Sequence, residues 1–324
     1  MSGERIAALE AELDARRDRE TFAVYGDALQ AIGDPRGDLI ALDLYHEAHA
    51  VPDPEEHRVG LRPDPEEHRV GLRTTYEEVR ARLVDAWLGP VASLLPPPRF
   101  GFFDEVRVTS SQPPLVYQLG EILRSPAAPY LRAIELNVNR HGLRAALELL
   151  ALEVRPWLER LSFALFDPES QQVPLAEALG GVAPRLREVV VHGACCVTAP
   201  MPASVRRLWV TGANAVRDFA AGGVGIVELG LKPQFDWRTP VDVLARRLGP
   251  AGFPALSRLY LKMESVAFDP VDLLLALEAP ERLREVWISP YLGPPLPGVE
   301  RLRERLPGLA LHVGNELGWA DPTA

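Results

Sequence analysis

The sequence predicts an α/β fold: an irregular solenoid, with a parallel sheet and outer helices, preceded by a small all-α helical domain. Two observations carry the prediction. The first is a six-residue phrase, apolar at its first, fourth and sixth positions, that recurs as FDEVRV (103–108), LRAIEL (131–136), LERLSF (158–163), LREVVV (186–191), VRRLWV (205–210), IVELGL (226–231), LSRLYL (256–261), LREVWI (283–288) and LPGLAL (306–311). Successive starts lie 28, 27, 28, 19, 21, 30, 27 and 23 residues apart. A recurrence of this length marks units that bury their apolar edges only by stacking on their neighbours. The second observation is a helical pattern between most phrases, at 115–124, 142–153, 174–180, 240–248, 270–277 and 298–305. Strand, helix and strand in the same sense give a parallel sheet. The array occupies 96–324, and the helical domain 1–95.

In the helical domain, Ile6, Leu9 and Leu13 share a face of a first helix. A second helix covers about 20–32, with Phe22, Tyr25 and Leu29 inward, and Gly33 ends it in a left-handed conformation. Asp34 caps the next helix, and Pro35 opens it at no cost in hydrogen bonds. Thr75 and Glu78 have the spacing of a capping box at the head of a further helix, with Tyr76, Val79, Leu83 and Trp87 inward and Gly89-Pro90 as its stop. Between these helices PDPEEHRVGLR stands twice without change, at 52–62 and 63–73. Perfect identity points to a recent duplication, and 50–73 is expected to be a surface linker with a short helical turn at each Asp-Pro-Glu-Glu.

The stretch YGDALQAIGDPRGDLIAL (25–42) carries a resemblance. Tyr25, Asp27, Leu29, Gly33, Asp34, Pro35, Arg36, Gly37, Ile40 and Leu42 stand where the bacterial repeat-companion domain has its characteristic residues, with Ala28 in place of the usual tryptophan. That domain is a helical hairpin at the N-terminus of repeat proteins. The resemblance implies a repeat array behind it and no catalytic activity. Asp27 and Arg36 are placed to pair across the hairpin, as structural cement. The phrases of 103–311 in turn resemble the first six positions of the leucine-rich repeat. The asparagine that the family carries three places later is present only at Asn139. The two short units, 186–204 and 205–225, leave no room for a full helix.

Alternation along a strand turns the third, fifth and seventh positions outward. The third positions read Glu105, Ala133, Arg160, Glu188, Arg207, Glu228, Arg258, Glu285, Gly308, alternating in sign from 160 to 285. This is expected to be a solvated ladder that fixes strand neighbours. The fifth read Arg107, Glu135, Ser162, Val190, Trp209, Gly230, Tyr260, Trp287, Ala310. Exposed aromatics beside arginines have the composition of interface hot spots. Gly230 is expected to leave a gap between Trp209 and Tyr260 for a partner side chain. The seventh positions add His192, Thr211, Lys232, Lys262, Ser289 and His312, a mildly basic rim. The candidate partner-binding residues are therefore Trp209, Tyr260, Trp287, Val190, Arg207, Arg258, Lys232, Lys262 and His192. The rival expectation is that the C-terminal tail, through Trp319, covers the rings.

Composition narrows the function classes. Residues 1–95 hold 20 acidic and 11 basic side chains, and the rest holds 25 and 24. Neither part has the basic excess that phosphate backbones require, so nucleic acid is not expected as a partner. No run of eighteen apolar residues appears, so no membrane span is expected. The charged N-terminus does not read as a secretory signal. Cys195 and Cys196 are adjacent, which suits two reduced thiols and a cytoplasmic location. Only Lys232 and Lys262 are lysine among 35 basic residues, a bias expected of a GC-rich bacterial genome. No phosphate loop, nucleophile elbow or zinc pattern occurs, so no catalytic residue, metal or cofactor is expected. His46 and His49, near Asp43 and Glu47, are the one conceivable metal cluster. The function expected is non-catalytic binding of a partner protein on the concave sheet face. Self-assembly is the alternative, and an enzyme or metal-dependent effector the third reading.

Overall fold

The computed structural model describes residues 3–50, 65–109, 114–138, 140–165, 171–172, 178–193, 195–196, 201–211, 223–232, 240–263, 269–290 and 296–314. It is an α/β protein with a nine-stranded parallel sheet. The chain divides into two compact units, 1–106 with 124–131, and 107–123 with 132–324. The first unit therefore takes in residues 96–106 and 124–131 besides the helical segment.

In the first unit, helices α1 (Gly3–Ala15), α2 (Arg19–Gln30), α3 (Pro35–Ala50) and α4 (Pro65–Leu88) pack successively on one another. Asp18 caps α2 by accepting from the Thr21 N–H at 2.9 Å. Gly33, at φ +75°, turns the chain into Asp34, whose carboxylate accepts from the Arg36 N–H at 3.0 Å. Gly37 meets a different demand: a Cβ there would lie 2.6 Å from the Gln30 nitrogen and 2.8 Å from the Gly26 oxygen. The close crossing of α2 and α3 thus excludes any side chain at this position.

Arg36 does not pair with Asp27. It forms an ion pair with Asp34 at 2.6 Å and donates to the Tyr25 hydroxyl at 2.9 Å. Its guanidinium lies 3.6 Å over the Tyr130 ring, while the Tyr25 hydroxyl donates to Glu10. Asp34 wins because it is two residues away on the same turn and presents both oxygens to the guanidinium fork. Burial pushes the Tyr25 hydroxyl pKa up, so it remains a donor. Asp43, also buried, accepts from the Tyr76 hydroxyl at 2.7 Å, Arg80 at 3.2 Å and the Phe100 N–H at 2.7 Å. It ties α3 and α4 to the tight turn Arg99–Phe102.

Helix α4 corrects two expectations. It begins at Pro65, so Thr75 and Glu78 lie inside it rather than at its head. The second copy of the duplicated segment, expected as linker with a short helical turn, is helical from Pro65 onward. The reason lies in its composition: Asp-Pro-Glu-Glu is a good helix start, and Arg, Val and Leu sustain what it begins. The first copy lies outside the described residues.

The sheet runs β1 (Val106–Thr109), β2 (Ala133–Val138), β3 (Arg160–Leu165), β5 (Glu188–Gly193), β7 (Arg207–Thr211), β8 (Glu228–Lys232), β9 (Arg258–Lys262), β10 (Glu285–Ser289) and β11 (Ala310–Val313). Sheet order follows chain order. A second sheet pairs β4 (Gln171–Gln172) with β6 (Cys195–Cys196), also parallel. The connecting helices are α5 (Leu115–Arg124), α6 (Arg140–Leu150), α7 (Val241–Arg247), α8 (Pro270–Ala276) and α9 (Val299–Arg305). They fall where the sequence places them. The helix expected at 174–180 lies mostly outside the described residues, although 178–179 are helical, and Asn139 lies outside them too.

From Leu158 to Ile288 every first, fourth and sixth phrase position is at most 3% exposed. One hydrogen-bond pattern recurs between units. From Arg132 to Ser257 the carbonyl of each second residue accepts from the second and third N–H of the next phrase, as Arg132 does from Glu159 and Arg160, and Ser257 from Arg284 and Glu285. This fork fixes register at the strand entrance.

The ninth phrase departs from its expected register. Glu285 pairs with Ala310, and Trp287 with His312, so the strand is displaced by two residues from the LPGLAL reading. Leu306 instead closes the last turn of α9, its N–H donating to Leu302. Ala310 therefore stands in the third column, where Gly308 was expected. His312 moves from the seventh column to the fifth.

Candidate functional site

The outward face of the second unit is built rung by rung from the central strands. The third-position column forms a continuous chain of ion pairs. Glu188 lies 3.7 Å from both Arg160 and Arg207. Glu228 takes Arg207 at 3.1 Å and Arg258 at 2.6 Å, and Glu285 takes Arg258 at 3.3 Å. At the end of the row the His312 imidazole stands 3.4 Å from Glu285. Parallel strands about 4.8 Å apart put each charge between two of opposite sign. The hydrogen bond that Arg258 donates to the Glu228 carboxylate holds its guanidinium above its usual pKa.

The fifth-position column is a stack of rings. The Trp209 and Tyr260 ring centroids are 5.2 Å apart, and Tyr260 stacks on Trp287 at 6.2 Å and 14°. Trp287 stacks on His312 at 3.9 Å and 14°. All three aromatic side chains of β7, β9 and β10 are partly exposed. Burial, then the Glu228 and Glu285 carboxylates, raises the Tyr260 phenol's pKa and keeps it protonated.

This ladder corrects the expected gap at Gly230. A Cβ on Gly230 would lie 1.8 Å from Cε3 and 2.2 Å from Cζ3 of Trp209. The indole itself therefore lies across β8 to reach Tyr260, and the glycine is the space it occupies. Val190 is corrected too: it is fully buried and offers no contact surface. Its short branched side chain sits in register between Ser162, also buried, and Trp209. Arg207 and Arg258 retain about half of their side-chain exposure while paired. His192, Lys232 and Lys262 are partly exposed in the seventh column. His312 is the ring that the sequence placed in the wrong column. Residues 315–324, with Trp319, lie outside the described residues.

The conceivable metal pair does not converge. His46 stacks on Tyr76 at 3.9 Å, whereas His49 stacks on Tyr45 at 4.0 Å, with Nδ1 2.7 Å from the Tyr45 carbonyl. Among the described residues no group of three metal-ligating side chains comes together, and no helix is long and apolar enough to cross a membrane. No family model and no curated protein matches the chain.

Proposed function

We propose that this chain is a non-catalytic recognition protein that holds a partner protein on the outward face of its parallel sheet. The array is read as an irregular leucine-rich-repeat solenoid with the binding face on its concave side, behind a repeat-companion domain, in a bacterial cytoplasm. The observation that supports this reading best is the ring ladder Trp209–Tyr260–Trp287–His312, partly exposed on strands that are otherwise tightly packed. Rings already stacked lose little freedom when a partner covers them, so more of the contact energy appears as affinity. The ion-pair row beside them excludes wrong registers through like-charge contact.

The test is retention of a partner from native lysate by immobilised wild-type chain and by the Trp209→Ala/Trp287→Ala variant. The wild type should retain a defined protein that the variant loses, with both chains cooperatively folded. Equal retention by the folded variant would exclude this face. The open outer edge of β11, which no strand among the described residues pairs, favours a second reading in which copies associate. Light scattering over a concentration series separates the two.

A further inference from the structure

We infer that the partner contributes an extended segment that enters as a tenth strand on the open edge of β11, carrying an aromatic residue between two apolar ones. This inference rests on the recognition reading above and names the partner's chemistry and its point of entry. Its starting point is the backbone of the last strand. Ala310 and Gly314 donate their N–H groups to the Arg284 and Ile288 carbonyls. The N–H and C=O of one residue point to the same side of a strand, and the side alternates along it. Leu311 and Val313 therefore turn both groups away from β10, to the side that no strand among the described residues pairs. Two donors and two acceptors, spaced about 7 Å apart along one edge, are what a second extended backbone satisfies.

The side chains beside this edge select the incoming sequence. Leu311 and Val313 face the core but are partly exposed, whereas Val286 and Ile288, beside them in β10, are fully buried. In a stacked array each unit's apolar edge is covered by the next. A groove of about 470 Å³ opens at Val313, bordered by Leu296 and by Val299 and Arg303 of α9. The arginines at its rim are already engaged, Arg301 with Asp272 and Arg303 with Glu300. Filling it calls for apolar side chains and for no particular charge.

The residue between those two stands on the outward face, beside His312. Trp287 stacks on one face of that imidazole at 3.9 Å, and the side chain is 43% exposed. An incoming ring one rung further, about 4.8 Å away, extends the ladder onto the partner. Alternation gives the same pattern whichever way the segment runs. A second copy pairing through its own β11 fits less well. Its outward residues are Ala310 and His312, a methyl group or a second imidazole that repels the first when both are protonated.

The experiment is selection of random dodecapeptides displayed on phage by the immobilised full chain, in four forms: wild type, Val313→Pro, Val313→Ala and Trp209→Ala/Trp287→Ala. Val313→Pro removes an N–H that β10 does not use, at an edge position where proline is tolerated. The wild type should enrich sequences with an aromatic residue between aliphatic ones. A synthetic peptide of the selected sequence should bind Val313→Pro at least about tenfold more weakly than Val313→Ala, which keeps the N–H, with both variants matching the wild type in near-ultraviolet circular dichroism. On the wild type, N-methylation of the peptide should weaken binding at every second position and spare those between, an arm that needs no variant to fold. Peptides that depend on the tryptophans, yet bind the two Val313 variants equally or tolerate methylation throughout, would overturn this inference and leave the recognition reading standing. A wild-type dimer in light scattering that Val313→Pro dissolves, with no peptide retained, would overturn it as well and give the edge to a second copy. If no form retains a peptide and the wild type is monomeric, both readings fall.

Discussion

Gly230 shows how one residue decides whether the face exists. With the indole of Trp209 lying where a Cβ would stand, Gly230→Ala must swing the ring away from Tyr260 and break the ladder at its middle. Overpacking of this kind costs about 1–3 kcal/mol. The variant should unfold at lower denaturant and lose part of its near-ultraviolet circular dichroism from tryptophan. An unchanged spectrum and midpoint would mean that the ring does not lie there. The sequence displayed the rung order of Trp209, Gly230 and Tyr260 but not the rotamer that bridges them. An empty gap and a filled one are written with the same three letters. The Arg36 network was half legible for a similar reason: capping chemistry pointed to Asp34, whereas the stacking of Arg36 on Tyr130 joins residues 94 positions apart.

At the scale of elements, the charged column and the duplicated segment make opposite predictions. Glu228 is 13% exposed and serves two arginines, each about half exposed, so solvent screens each pair to no more than about 1 kcal/mol. Glu228→Gln should lower stability by about 1–2 kcal/mol, less in high salt, while Glu300→Gln on the exposed face of α9 should stay within about 0.5 kcal/mol. Equal denaturation midpoints for the two variants would remove the ladder from the account. Deleting one copy of PDPEEHRVGLR, by contrast, should shift the Tm by no more than a few degrees. Either deletion yields the same chain, and the surviving Asp-Pro-Glu-Glu still starts α4. A fall of many degrees would show that the connection itself stabilises the fold. Most helices were legible from apolar spacing and caps. The start of α4 was not, because two start signals lay ten residues apart and the downstream one was read as the beginning. The ninth strand failed for a deeper reason. A slip of two residues keeps every side chain on its face, so alternation cannot distinguish Leu306, Leu309 and Leu311 from Gly308, Leu311 and Val313. Only the helix end at Leu306 decides.

For the molecule as a whole, the second unit's sheet order repeats chain order, so each strand's pairing is limited to the phrases before and after it. Eight phrases align as their buried residues require, which is why the sheet could be read before any coordinate. Stability in such an arrangement is a sum of unit and neighbour terms, and protection should vary along the array rather than be uniform. The core positions of β5, β7, β8, β9 and β10 are at most 2% exposed, and the carbonyl forks secure each strand entrance. In β11 Leu311 and Val313 are partly exposed, and Arg284 accepts from Ala310 alone because the Leu309 N–H turns back to Leu306. With a looser core and half a fork, β11 should open locally far more often than the centre. Hydrogen exchange followed by mass spectrometry should therefore show peptides covering 307–314 exchanging at least about tenfold faster than those covering 186–193 and 226–232. Equal protection across these segments would mean that the sheet opens only as one cooperative body, and that the stacking of His312 on Trp287 fastens the last strand as firmly as the forks fasten the rest.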